Sequence, residues 1–255
     1  MKFSRRFFSI LAIVVLSVLL SACAASPQLQ APGVTLKVDP INNQPQDVST
    51  GVQLLVLLTV LSLAPTLLIL ASSFTRIVIV LSMVRSAIGT PTIPPNQVVI
   101  GLSLLLTFFI MTPVVNEIDQ QAIQPYMKQQ IDQQTALTNA IEPVRQFMFK
   151  QTREKDLALF LELNNQPRPQ TQADVSTLAL FPAFVISELR TAFTMGFILY
   201  IPFLIIDLVI SSVLLSLGMM MLPPSLVSLP FKILIFVMVD GWYLLTHSLA
   251  LSFVH

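Results

Sequence analysis

Four stretches of this chain, 52–71, 98–115, 193–217 and 227–254, stay apolar for about the length of a membrane crossing. Backbone buried in hydrocarbon must satisfy its own hydrogen bonds, so runs of this kind fold as helices. The expectation is an all-α, integral membrane protein of kinked helical hairpins. Composition agrees: of 255 residues, 54% are apolar and 11% charged, against about 25% charged in a soluble domain. Fourteen Lys and Arg against thirteen Asp and Glu leave no basic field for nucleic acid. One cysteine excludes an intramolecular disulfide framework and a multi-cysteine zinc site.

Charge is segregated. Sixteen of the 27 charged side chains lie in 116–190. The chain therefore divides into a signal peptide (1–25), a flexible linker (26–50), a first apolar hairpin region (51–115), a polar helical extracytoplasmic region (116–190) and a C-terminal apolar hairpin (191–255). In the first segment Lys2, Arg5 and Arg6 precede an apolar stretch and the small residues Ser21 to Ala25. Ala22-Cys23-Ala24 suits ordinary cleavage, Leu20 to Cys23 suits lipidation of Cys23, and retention as an anchor is the third route. The linker, with Pro27, Pro32, Pro40 and Pro45, is expected to be extended or disordered.

An outside start after cleavage puts Arg76, Arg85 and Asn96 at a cytoplasmic-side turn, as the positive-inside rule prefers. The run 77–84 between the two arginines is too short to span. Pro65, Pro113, Pro202 and Pro230 are expected to kink or break the long runs. Asp207, Lys232 and Asp240 would each cost about 2.5–3.5 kcal/mol facing lipid, so these helices should bury surface in partners or a water-filled cavity.

No catalytic or phosphate-binding motif occurs, and the histidines are His247 and His255 alone, so no enzyme activity, metal or cofactor is expected. Four constellations remain. Met219, Met220 and Met221 occupy a turn that should be polar; flexible thioethers there form either a soft apolar seal or an ordinary surface turn. Glu188 and Lys232 are expected to pair, within or between subunits, or to relay protons. Asp207 and Asp240 are either proton-carrying carboxylates or helix-packing and capping groups. Arg76, Arg85 and Asn96 anchor a turn.

Several segments bear a specific resemblance. These are 182–189 running on to Gly196, and 230–233 running on to Asp240-Gly241-Trp242. Thr75-Arg76, Gly89-Thr90-Pro91, Pro94-Pro95-Asn96-Gln97, Gln151-Thr152-Arg153-Glu154 and Gly218-Met219-Met220-Met221 complete the set. In order and spacing, from Gln53 to the C-terminus, they resemble the FliP family of type III export-gate proteins, which has flagellar and injectisome branches. The signal peptide and linker favour the flagellar branch. The resemblance implies a ring of about five copies with FliQ and one FliR, joined by FlhB and FlhA and assisted by FliO. Such a gate sits in the bacterial inner membrane at the flagellar basal body. It passes unfolded rod, hook and filament subunits, driven by the proton motive force and an ATPase, and itself catalyses nothing. The same resemblance places Met219, Met220 and Met221 at the pore constriction. The alternatives are an injectisome gate subunit and a proton-coupled transporter using Asp207 and Asp240; an outer-membrane lipoprotein fits poorly with four long apolar helices.

Overall fold

The computed structural model describes the backbone of residues 30–31, 34–35 and 45–253, apart from 91, 165–168, 170 and 220, and the side chains from Val52 onward. The signal peptide, Cys23, Met220 and His255 lie outside the described residues. The chain divides into two compact units, residues 1–59 and residues 60–255.

Helix α1 (Pro45–Leu70) starts ahead of the apolar run. Proline at a first helical position gives up an N–H that had no partner there. Gln30–Ala31 also pairs antiparallel with Val34–Thr35. From Val52 on, α1 is apolar all round and largely exposed, as suits a helix facing lipid or partners.

Helix α2 (Phe74–Ile88) is the short run bracketed by arginines, and it lies at the centre of the compact unit. Arg76, Ile77, Val80, Leu81, Val84, Ala87 and Ile88 are buried at helical spacing. The helix stops at Gly89, whose φ of 89° is the left-handed C-terminal cap that favours glycine. Helix α3 (Asn96–Ile118) continues through a π turn (Asp119–Ile123) into α4 (Gln124–Met127). The polar region then folds as α5 (Gln133–Gln151) and α6 (Glu154–Leu163), with a 3-10 turn at Gln172–Asp174. Ahead of α5, the Thr135 hydroxyl bonded to Asp132 holds that exposed carboxyl below its ordinary range.

Helix α7 (Thr177–Ser216) runs unbroken for 40 residues. Ser176 caps it, accepting the Leu178 N–H at 3.3 Å. The change from polar to apolar composition at 190/191 thus falls inside one helix. At 1.5 Å per residue, α7 is about 60 Å long, twice the roughly 30 Å hydrocarbon layer. Ala179, Leu180, Ala183, Phe184, Ser187, Glu188, Ala192 and Gly196 form its buried stripe. Helices α8 (Pro224–Met238) and α9 (Gly241–Leu251) complete the fold and meet at a 64° bend.

The prolines do not break the helices. Pro65, Pro113 and Pro202 lie inside continuous α1, α3 and α7, and Pro230 inside α8. All four are exposed, and local backbone adjustment absorbs the lost hydrogen bond in apolar helices of this kind. The break comes instead at Asp240, whose φ of 51° is left-handed, followed by Gly241. A Cβ on Gly241 would lie 2.8 Å from Phe236 Cζ, and Phe236 is wedged against Trp242 and Phe203.

Two apolar clusters hold the unit. The larger joins α2 to α7, the first half of α3, α8 and α9. The smaller joins Val114, Phe147, Met148, Val175, Leu180 and Phe184. Among the described residues three helices are long and apolar enough to cross a membrane, or four if α8 and α9 form one bent span. The chain is thus all-α and membrane-embedded.

Candidate functional site

The buried charges form two hubs, and their pairing differs from the sequence expectation. Glu188 does not meet Lys232. It meets Arg76, which approaches from α2 at the same level of the bundle. Arg76 Nε donates to Glu188 Oε2 at 2.9 Å and its second nitrogen to Oε1. The two side chains are 2% and 0% exposed. This two-point contact is the geometry in which a guanidinium and a carboxylate bind best.

Arg76 also donates to Gln151 Oε1 at 2.8 Å, the Ser252 carbonyl at 2.9 Å and Ser252 Oγ at 3.0 Å. Its guanidinium carbon lies 3.9 Å from the Phe253 ring centroid. One buried cation therefore ties α2, α5, α7 and the residues after α9. Arg76 is consequently not a turn anchor. An isolated charge in this interior would be prohibitively costly, and the full set of acceptors is what makes it tolerable.

Beside this hub, Ser187 Oγ donates to Asp156 Oδ2 at 2.7 Å and accepts the Arg153 N–H at 3.1 Å. That seats the start of α6 on α7.

Lys232 forms the second hub. Its Nζ donates to Asp207 Oδ2 at 2.6 Å and to the Ala87 carbonyl at 3.1 Å. Ser228 Oγ donates to Asp207 Oδ1 at 2.6 Å. The ammonium thus cross-links α8 to α7 and completes the carbonyl end of α2, where the helix dipole favours a cation. Lys232 is buried, whereas the Asp207 side chain is 35% exposed.

Arg85 and Asn96 meet across the loop between α2 and α3. Arg85 donates to Asn96 Oδ1 at 2.6 Å and to the Pro94 carbonyl at 3.2 Å. Asp240 joins neither hub; it is exposed, and its role in the fold is backbone conformation at the bend. His247 stacks on Tyr243 with ring centroids 5.6 Å apart. Among the described residues no three metal-ligating side chains cluster.

At the other end of α7, Gly218 turns the chain with φ 73°. Met219 is 43% exposed and Met221 99% exposed. Two free thioethers thus project from the turn between α7 and α8. Sequence inspection met Gln151 and Ser187 only as parts of the family segments and did not single out Asp156 or Ser252. Ser187 carried a signal, since it shares the buried stripe of α7 with Glu188. Ser252 and Phe253 carried none, because they reach Arg76 from 176 and 177 positions away.

The FliP family matches residues 57–249. The flagellar biosynthetic protein FliP of Bacillus subtilis is 56% identical over 212 residues, covering 83% of this chain and 96% of that protein. That of Pectobacterium carotovorum is 54% identical over 230 residues, covering 90% and 88%. That of Aquifex aeolicus is 46% identical over 226 residues, covering 88% and 92%. The match takes in α2, α3, both charge hubs except Ser252 and Phe253, and the methionine turn, so this chain belongs to the FliP family of flagellar biosynthetic proteins.

Proposed function

We propose that this chain is a pore-forming subunit of the flagellar type III export gate in the bacterial inner membrane. About five copies form a ring with FliQ and FliR; FlhB and FlhA join it and FliO assists assembly. The ring passes unfolded rod, hook and filament subunits outward, and the chain is not an enzyme. The observation that carries this reading is the turn at the tip of a 40-residue apolar helix that leaves Met219 and Met221 in the open. Several unbranched thioethers on one axis form a deformable apolar seal that closes around a passing chain. The large exposed apolar faces of α1, α3 and α7 support it too, because a 60 Å helix cannot hide in lipid alone.

The test is conductance. With FliQ and FliR co-expressed, replacing Met219 to Met221 by Gly should leave the complex assembled and the membrane leaky to small ions. An intact assembly with unchanged conductance would remove the seal. Native mass spectrometry of the same complex should give about five copies bound to both partners; a free monomer would remove the gate.

The proton-coupled transporter uses Asp207 and Asp240 differently. In this fold Asp207 is engaged by Lys232 and Ser228. Asp207→Asn keeps the Ser228 bond and loses the ion pair, so export should fall only in step with the amount of assembled complex. Lost transport from fully assembled complex would favour the transporter instead.

A further inference from the structure

The methionine turn stands at the end of a hairpin that the core does not reach. On α7 the larger apolar cluster ends at Ile206, and on α8 it begins at Phe236. Among the described residues of 208–227, only Leu214 is buried. The hydrogen bonds of this stretch are local. The Ser211 and Ser216 hydroxyls return to the Asp207 and Val213 carbonyls at 2.7 and 2.8 Å. The Gly218 and Met219 N–H groups donate to the Leu215 and Leu214 carbonyls at 3.1 and 3.0 Å.

The polar fastening of the two arms sits just behind this stretch. Ser228 and Lys232, four positions apart and so on one face of α8, grip the two oxygens of Asp207, one each. Lys232 carries the grip on to the Ala87 carbonyl, two positions before the Gly89 cap of α2. A Cβ on Gly89 would lie 3.6 Å from Leu229 Cδ1 and 3.9 Å from Lys232 Nζ, so the end of α2 lies directly against the α8 arm. Asp207 is nine positions before the end of α7 and Lys232 eight after the start of α8, about 14 and 12 Å along the axes. A tilt at the fastening therefore moves the turn by a lever of that length.

We infer that Asp207, Ser228 and Lys232 are positioning residues for the methionine turn: they clamp the arms to each other and to α2, and so set where Met219 and Met221 stand. The role rests on the seal proposed above. Polar groups suit it because their bonds are directional, whereas apolar contact such as that of Leu214 lets the arms slide. The clamp also yields. Asp207 is 35% exposed, so water takes over its oxygens when the arms part, while the Ala87 carbonyl keeps Lys232. A passing chain can spread the hairpin without stripping either charge of every partner, and the same bonds return the turn to its place.

The experiment is amide hydrogen exchange together with ion leak per assembled complex, both on the chain co-expressed with FliQ and FliR. Asp207→Asn combined with Ser228→Ala removes the ion pair and the serine bond. Exchange across 208–227 should quicken about tenfold, the scale of one lost bond to a charged group, and each assembled complex should leak more. Residues 177–200 should keep their protection. Ser228→Ala alone, the mildest change, should give a smaller rise of the same pattern, and it carries the test if the double variant fails to assemble. Ser187→Ala, which breaks the bond to Asp156 toward the other end of α7, should change neither reading at the turn. Unchanged exchange across 208–227 would overturn the clamp, as would equal loosening there by Ser187→Ala. Faster exchange without added leak, in a chain whose glycine variant at Met219 to Met221 does leak, would overturn the positioning role. Faster exchange where that glycine variant itself stays tight would remove the seal and support the clamp.

Discussion

At the scale of single residues, the fold depends on a few buried polar groups with complete partner sets. Removing one member of a buried, hydrogen-bonded ion pair strands the other and costs about 3–5 kcal/mol. Arg76→Ala and Glu188→Ala should each destabilise by that amount, read as a fall in the detergent unfolding midpoint and in the yield of complex. The exchange Arg76→Glu with Glu188→Arg should not restore stability, because Gln151, Ser252 and Phe253 also require a cation on α2. A full rescue would show that the pair alone matters. Asp240 gives the opposite expectation. Asn tolerates the left-handed region as Asp does, so Asp240→Asn should be near neutral. A β-branched Asp240→Val should cost about 1–2 kcal/mol. Equal loss of function from both, with normal unfolding midpoints, would point to a charge role instead.

At the scale of elements, close helix contact rests on small residues. A Cβ on Gly196 would lie 2.9 Å from Met83 Cε and 3.1 Å from Met83 Cβ, where α7 crosses α2. Gly196→Ala should therefore cost about 1–3 kcal/mol by overpacking, and Met83→Ala in the same chain should recover part of it. No recovery would mean the backbones themselves are in conflict. Gly241→Ala should be the harsher change, since Phe236 has aromatic neighbours where Met83 has a flexible chain. The elements themselves were largely legible in the sequence. The apolar runs, the breaker at Gly89 and the 3.6-residue stripe of α2 are local signals, and local signals set where helices lie. Their continuity was less legible. Proline suggested breaks, but all four prolines are exposed inside apolar helices, where local backbone adjustment, and not a break, meets the lost hydrogen bond. The true break at Asp240 had no proline to mark it. Charge pairing was not legible at all, because Arg76 and Glu188 are 112 positions apart and only packing chooses among cations.

At the scale of the whole molecule, exposed apolar surface on helices longer than a bilayer implies that partners cover what lipid cannot. If the proposed gate assembly is what covers it, leaving out FliQ and FliR during expression should reduce recovered protein and raise its aggregation in detergent; unchanged monodisperse recovery would mean this surface is content in micelles alone. The first charge hub also has a bearing on synthesis. A chain is made from its N-terminus onward, and the cation of the hub emerges 176 positions ahead of its acceptor Ser252. The bundle cannot lock until that distant segment has been made. Arrival of Ser252 is itself the event that closes it, so a message cut short before that codon yields a product whose first hub never sets.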